Sequence, residues 1–262
     1  MSEQIPEKKI LIGTLGPQHS HAWQAATRYA PKAAIKLYPH SAGLVEAFIA
    51  QEVDRVVIPI FNTRQGENKQ YFRLFEQVRE GYWLDNIVLP ANLSLGVFAP
   101  DMRMEEIEVL LGKRAVFRQC EEYICGTFPD AALTSVHDME QAVRRIQKQG
   151  LRSHGVIATA ELLDALGLYI IEREVAPHNR TRYAVLGREI ARPTGYDATT
   201  FITGPLDDRV GLLVDILGEF SRHGINILDM SSENDVKSQK LQIYIEAEGI
   251  LKTGPCRRLS PV

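Results

Sequence analysis

The chain has 262 residues, 45% of them hydrophobic and 24% charged, with a formal net charge of −3. That length fits one large domain or two smaller ones, and the charge balance excludes a nucleic-acid binder, which needs a basic excess in clustered Lys and Arg. No apolar run approaches the roughly 18 residues of a membrane span, and Cys120, Cys125 and Cys256 form no C-x-x-C pair, so a reduced, cytoplasmic protein without structural zinc is expected.

Residues 9–15 read as a strand stopped by Gly16-Pro17, and 19–30 as a helix with Trp23, Ala26 and Tyr29 at helical spacing. Strand, glycine turn and helix make the first half of a βαβ unit, and such a turn offers backbone N–H groups to an anion. Gly16, His19, Ser20 and His21 sit on it. Residues 41–50 repeat a helical pattern through Leu44, Val45, Phe48 and Ile49. A buried strand over 54–61 then runs into Asn62-Thr63-Arg64-Gln65-Gly66. Ligands gather at the carboxyl ends of parallel strands, so Asn62 and Thr63 are site candidates; the alternative is that Asn62 caps a following helix.

A helix is expected over 71–80, and two short strands over 86–89 and 93–98, the second crossing into another lobe. Helical spacing covers 116–125, with Gln119 and Cys120 on it, and 131–135 is strand-like. Asp138 can cap a helix over 139–148 whose Ala142, Val143 and Ile146 share one face. Residues 155–159 form another buried strand, 161–166 a helix ending at Gly167, and 168–172 an extended segment. The alternation predicts a mixed α/β domain over 1–193 in two lobes, the second at about 91–170, with a cleft at the crossovers.

The stretch Ala176-Pro-His-Asn-Arg-Thr-Arg-Tyr-Ala-Val-Leu-Gly187 reads as a polar loop feeding a buried strand, a place where scaffolds hold reactive side chains still. Asn179, Thr181 and Arg182 are its candidates: Arg182 offers a fork of donors suited to a carboxylate, and Thr181 a hydroxyl. A polar turn with a surface arginine is the plainer alternative. After residue 191 the pattern resets. A strand over 199–203, a helix striped by Leu212, Leu213, Ile216, Leu217 and Phe220, a strand over 225–230 and the alternating Leu241, Ile243 and Ile245 give a β-α-β-β module over 194–262. Its apolar face of Ile225, Ile227, Leu241, Ile243 and Ile245 needs a cover, so a homodimer or homotetramer is expected.

Together these spaced pieces resemble the prephenate dehydratase family. That family's Gly-Pro-x-Gly-Thr-Phe-Ser turn is occupied by Gly16-Pro17-Gln18-His19-Ser20-His21-Ala22. Its Pro-Ile-Glu-Asn-Ser-x-x-Gly segment is similar to Pro59-Ile-Phe-Asn-Thr-Arg-Gln-Gly66, its Gln-Cys pair to Gln119-Cys120, and its Asn-x-Thr-Arg-Phe signature to Asn179-Arg-Thr-Arg-Tyr183. The Gly-Ile-Asn-Ile run at 224–227 is similar to the family's ACT domain. The resemblance implies a two-lobed, periplasmic-binding-protein-like catalytic domain over 1–193 and an α+β, ferredoxin-like ACT module over 194–262, apparently shortened. Phe61 stands where the family has a glutamate, and Gly112-Lys-Arg-Ala replaces a Ser-His-Pro-Gln run, losing a serine of the site. Ser231-Ser-Glu-Asn234 replaces the Glu-Ser-Arg-Pro loop that binds phenylalanine.

The implied reaction is the decarboxylating dehydration of prephenate to phenylpyruvate in phenylalanine biosynthesis, with no cofactor, no metal and a small-molecule substrate. By resemblance, Thr181 acts on the departing hydroxyl, Arg182 grips an acidic group, and Asn62 and Gln119 position the substrate. Gly16, His19, Ser20, Thr63 and Asn179 contribute to binding, and Gly211, Leu212, Asn226 and Ser232 mark the amino-acid site of the ACT module. His19 and His21 read either as recruited acids or as neutral, hydrogen-bonded structural residues. Two other functions stay open: a decarboxylase that keeps the hydroxyl, and a ligand-binding regulator without catalysis.

Overall fold

The structure, a computed structural model, describes residues 10–67, 81–204, 206–207, 209–235 and 238–249. The helix expected over 71–80 and the end of the C-terminal module lie outside them. The chain divides into two compact units, residues 1–191 and 192–262.

The first lobe of the larger unit starts with β1 (Leu11–Leu15), α1 (His21–Tyr29), β2 (Ala34–Tyr38), α2 (Ser41–Ile49), β3 (Arg55–Asn62), β4 (Gly66–Glu67) and β5 (Tyr82–Pro90). Ser20 ends the first turn and caps α1, its hydroxyl accepting from the Trp23 N–H. Ala22, Ala25 and Ala26 are the buried residues of α1, and these small side chains pack it against Ile12, Val57 and Ile87 of the sheet. The second lobe comprises β6 (Ser94–Val97), β7 (Val109–Gly112), α3 (Arg114–Gln119), α4 (Glu121–Thr127), β8 (Ala132–Ser135), α5 (Met139–Gln149), β9 (His154–Ala158), α6 (Ala160–Ala165) and β10 (Tyr169–Glu172). Asp138 caps α5, accepting from Gln141 N, and Gly150 ends it in the left-handed conformation that glycine adopts without strain.

The chain then returns to the first lobe as β11 (Arg180–Gly187). Among the described residues the first sheet runs β2-β1-β3-β11-β5 with β4 on β3, and the second runs β10-β6-β9-β7-β8. Parallel pairing of β1 with β2 and β3, and of β7 with β8 and β9, puts the carboxyl ends of those strands at the inter-lobe cleft. The two crossovers are tied to each other: Ala91 N donates to Asn179 O at 2.9 Å and Val175 N to Leu93 O at 2.9 Å.

Several expectations need correction. Residues 180–182 do not form a loop: Thr181 pairs with Asn62 on one side and Leu89 on the other, so the strand begins at Arg180. The segment 86–89 is part of one longer strand, β5. The expected helix over 116–125 is two helices broken at Cys120, whose N–H is shared between Val116 O and Phe117 O. Strand β2 was not anticipated; among the described residues it is a five-residue edge strand held by parallel pairing with β1.

The smaller unit holds β12 (Ala198–Ile202), α7 (Leu212–Arg222), β13 (Ile227–Asn234) and β14 (Leu241–Glu248), in an antiparallel sheet of order β12-β14-β13. Its core is Phe220, Ile225, Ile243, Ile245 and Ala247. Phe220 of α7 therefore covers the sheet face that was expected to require a second subunit. Ser231–Asn234 are also not a loop: Ser232 pairs with Ile243, Glu233 with Gln242 and Asn234 with Leu241, which extends β13 through all four. Gly211, at φ +86°, caps α7; Leu212 opens that helix, and Asn226 O accepts from Glu248 N at 2.9 Å.

Candidate active site

The cleft is closed by contacts between its walls. Lys113 Nζ donates to Gly16 O at 2.5 Å, Thr159 Oγ1 to His19 O at 3.0 Å and Gln65 Nε2 to Ala115 O at 2.6 Å. Arg64 reaches Glu122 at 3.0 Å and Pro177 O at 2.9 Å.

At the inner end, beside the crossovers, lies a buried cluster of amides and a hydroxyl. Asn62 Nδ2 stands 2.8 Å from Asn179 Oδ1, 3.1 Å from Arg180 O and 2.9 Å from Thr181 Oγ1. Arg64 N donates to Asn62 Oδ1 at 3.0 Å, which fixes the orientation of that amide. Asn179 Nδ2 in turn donates to Ala91 O at 3.1 Å and to Gln119 Oε1 at 2.8 Å. Asn62, Asn179 and Thr181 are 5%, 3% and 7% exposed, and buried polar groups of this kind persist only when hydrogen-bonded.

The donors of Asn62 and Asn179 are thus spent within the protein, so both are positioning groups. Gln119 uses only its oxygen here, and Thr181 accepts from Asn62; the Gln119 NH2 and the Thr181 hydroxyl proton are the donors this cluster can offer a ligand. Thr63, a binding candidate by its sequence position, braces the loop: its hydroxyl accepts from Arg180 N at 3.0 Å and donates to His178 O at 3.3 Å.

The structure separates Arg182 from this cluster. Successive residues of a strand point to opposite faces. Thr181 and Tyr183 pair with the buried Leu89 and Ile87, whereas Arg182 pairs with Val88, which is 50% exposed. The Arg182 guanidinium lies 5.8 Å from the centre of the Trp83 ring. The expectation that it grips substrate beside Thr181 is corrected by this register.

Tyr183 is the residue the sequence reading missed. Burial pushes its phenol pKa up, partly offset by a hydrogen bond with the Thr181 side chain, so it stays protonated next to the Thr181 hydroxyl. The available signal was the hydroxyl itself, at a position where the Asn-x-Thr-Arg-Phe pattern carries phenylalanine.

The two histidines of the first turn differ. His19 adopts φ +64°, its carbonyl accepts from Thr159, and its ring tilts against Trp23 at 4.9 Å. His21 bonds the backbone at Asn92, next to the cluster's Ala91; burial lowers its pKa, with the Asn92 bond and Glu161 opposing, which keeps the ring neutral at neutral pH. Ser20 acts as the α1 cap. Cys120 is buried and its thiol is pushed up to about 12 by burial, which makes it inert as a nucleophile. A side chain at Gly112 would place its Cβ 2.7 Å from Phe117 Cε1, so this ring fills the space a residue with a side chain would need. Among the described residues, no group of three or more His, Cys, Asp or Glu is arranged to hold a metal ion, and no helix is long and apolar enough to cross a membrane.

The family model for prephenate dehydratase matches residues 12–191. The chain is 26% identical over 249 residues to the bifunctional chorismate mutase/prephenate dehydratase of Aquifex aeolicus, covering 93% of this chain and 67% of that protein. It is 25% identical over 248 residues to the chloroplastic arogenate dehydratase/prephenate dehydratase 6 of Arabidopsis thaliana, covering 87% of this chain and 59% of that one. Several curated relatives are thus matched over less than two thirds of their length. Among solved structures, prephenate dehydratase of Arthrobacter aurescens in complex with L-Phe superposes with a TM-score of 0.81 at 18% identity, covering 95% of this chain and 83% of that one. GqqA, described as a novel type of quorum quenching acylase, superposes at 0.76 with 17% identity, covering 95% and 90%. These structural likenesses establish the fold.

Proposed function

We propose, from the premise that the chain belongs to the prephenate dehydratase family, that its inner cluster carries out the decarboxylating dehydration of prephenate to phenylpyruvate. The chain is then a hydro-lyase of phenylalanine biosynthesis. Prephenate holds two carboxylates, a ring hydroxyl and a non-aromatic diene. The bond from the ring to its carboxylate breaks and releases carbon dioxide; the electron pair moves through the diene and expels the hydroxyl, which leaves as water after taking a proton. Aromaticity of the product drives the step, so the protein has only to hold the substrate and help the hydroxyl depart.

Within this reading the Thr181 hydroxyl donates to the leaving oxygen. It is a weak acid, so it acts as a positioned hydrogen-bond donor rather than a proton store. Asn62 and Asn179 hold it in place, and the Tyr183 phenol, hydrogen-bonded to the Thr181 side chain, stands beside it. The Gln119 NH2 binds a substrate oxygen. The observation that carries the reading is the pairing of a buried hydroxyl, oriented by Asn62, with the uncommitted Gln119 amide. Product identification after incubation with prephenate tests it.

One observation favours a second reading, decarboxylation with the hydroxyl retained. Gly112 stands where the family resemblance places a serine, and Phe117 occupies the space beside it. On that route the electron pair left by carbon dioxide takes a proton from water at the diene, and the product is a non-aromatic keto acid that keeps the hydroxyl.

The reading extends to the smaller unit as an ACT-like module and to a cytoplasmic homodimer or homotetramer. With the sheet face covered by α7, the support for association is outward apolar surface: Val214 is 73% exposed, Leu228 49% and Met230 42%. Light-scattering mass in solution tests the association.

A further inference from the structure

A pocket of about 700 Å³ opens at the outer end of the cleft, where the carboxyl ends of β1 and β2 face those of β7 and β8. None of Asn62, Gln119, Asn179 and Thr181 lines it, whereas Gly16 and His19, which the resemblance placed among the binding residues, do. Lys113 and Gly16, which touch across the cleft, are both part of its wall. Its volume lies in the range of small-molecule pockets. The inner cluster is the site proposed for the reaction, so this space needs a separate account.

Its charges are unbalanced toward the cations. Of the two acids of the wall, Glu140 is paired with Arg144 one turn along its helix, and Asp138, which caps α5 by accepting from Gln141 N at 2.9 Å, keeps its charge. That leaves one acid against two cations: Lys113 meets the neutral Gly16 carbonyl, and Arg114 makes no ion pair among the described residues. Burial lowers the Lys113 pKa, the mark of an ammonium shielded from water without a counter-charge. His40 and His137 stand on the polar side, edge to face across the cleft at 6.0 Å between ring centres. Gln18, His19, Tyr38 and Ser135 add further polar groups, and an apolar part of the wall is made by Leu37 and Pro39 from the first lobe and Val136, Leu162 and Leu166 from the second.

We propose that this outer pocket binds a small amphipathic carboxylate distinct from the reacting substrate, its anionic head on Lys113 and Arg114 and its apolar body against Leu37, Val136 and Leu162. A carboxylate here supplies the counter-charge that Lys113 lacks. Lys113 immediately precedes α3, and the last residue of that helix is Gln119, so an anion that draws Lys113 from Gly16 acts on the helix that carries a donor of the inner cluster. The proposal rests on the inner cluster being the reaction site, and its test is a direct binding measurement that does not require turnover.

The probes are 4-phenylbutyrate, its uncharged amide and inorganic phosphate, titrated calorimetrically into the full chain and into three folded variants verified by thermal melting. Saturable binding of 4-phenylbutyrate is expected, unchanged in Thr181→Val. Lys113→Met, which removes the charge, and Ala165→Trp, which fills the exposed wall of α6, should each weaken it about tenfold or more, the scale of one charge-assisted contact. The amide should show no saturable heat, and phosphate should not displace the carboxylate. Equal binding of the amide, an unchanged affinity in both wall variants, or no saturable binding at millimolar concentration overturns the proposal. So does loss of binding in Thr181→Val, which places the probe at the inner cluster, or displacement by phosphate, which makes the site one for phosphate. Probe binding by a chain that leaves prephenate untouched would reject the proposed reaction and leave the pocket standing.

Discussion

At the scale of single residues, the polar cluster divides its members by what they have left to give. Asn62 and Asn179 exhaust their donors on the protein, while Thr181 and Gln119 keep one group each for a ligand. Arg182, adjacent to Thr181 in sequence, belongs to the other face and stacks near Trp83. Arg182→Lys should therefore keep the catalytic rate within about twofold; steady-state kinetics on the folded variant checks this, and a loss of rate at unchanged stability would return Arg182 to the site. His21 makes a pH prediction. Its folded pKa is lowered below the ordinary value of 6.5, so the unfolded chain binds a proton more readily than the folded one. The sign follows: stability is full above about pH 6.5, falls as the pH drops below it, and levels off once the folded pKa is passed. His21→Phe should flatten that part of the curve in urea midpoints measured between about pH 8 and pH 5; an unchanged slope would show that His21 is not its source. Asn62 and Thr181 were legible because they fell at the junctions of predicted strands and loops, and Gln119, inside a predicted helix, through the Gln-Cys pair of the resemblance. The exclusion of Arg182 was not, since it depends on β11 starting at Arg180, and a run of polar residues gives no strand signal of its own.

Elements show the same limit. The strands and helices with strong patterns were readable: α1 with its Ser20 cap, α5 with Asp138 and Gly150, and the buried β3 and β9. Those decided by partners were not. Strand β2 exists because β1 offers it a parallel edge, β11 begins early because β3 and β5 flank it on both sides, and β13 continues to Asn234 because β14 pairs with it throughout. The join from β7 to α3 carries a prediction of its own. Gly112→Ser puts a Cβ 2.7 Å from Phe117 Cε1, and that ring packs with Leu110 and Cys120 in the second-lobe core. The substitution should cost about 1–3 kcal/mol, as overpacking does, and Gly112→Ser combined with Phe117→Leu should recover part of it. Equal melting temperatures for Gly112→Ser and the unsubstituted chain would show that the ring moves aside freely.

For the whole molecule, the family and the two-lobed α/β architecture were readable because three spaced motifs kept most of their residues and the first turn kept its Gly16-Pro17. What the smaller unit does was less so. Ser232, expected in a phenylalanine-binding loop, is held in the β13 ladder opposite Ile243, and the apolar sheet face packs on Phe220. Millimolar phenylalanine is expected to leave the melting temperature unchanged and to give no saturable heat on titration; micromolar binding would show that this unit keeps an amino-acid site. The central claim concerns the outcome of the reaction at the inner cluster. The most direct measurement is identification of the product formed from prephenate by the purified chain and by Thr181→Val. Phenylpyruvate with the unsubstituted chain, and a rate about 100-fold or more lower with folded Thr181→Val, is the predicted result, since a positioned donor contributes on that order. A non-aromatic decarboxylated keto acid, or phenylpyruvate formed equally fast by both proteins, would contradict it.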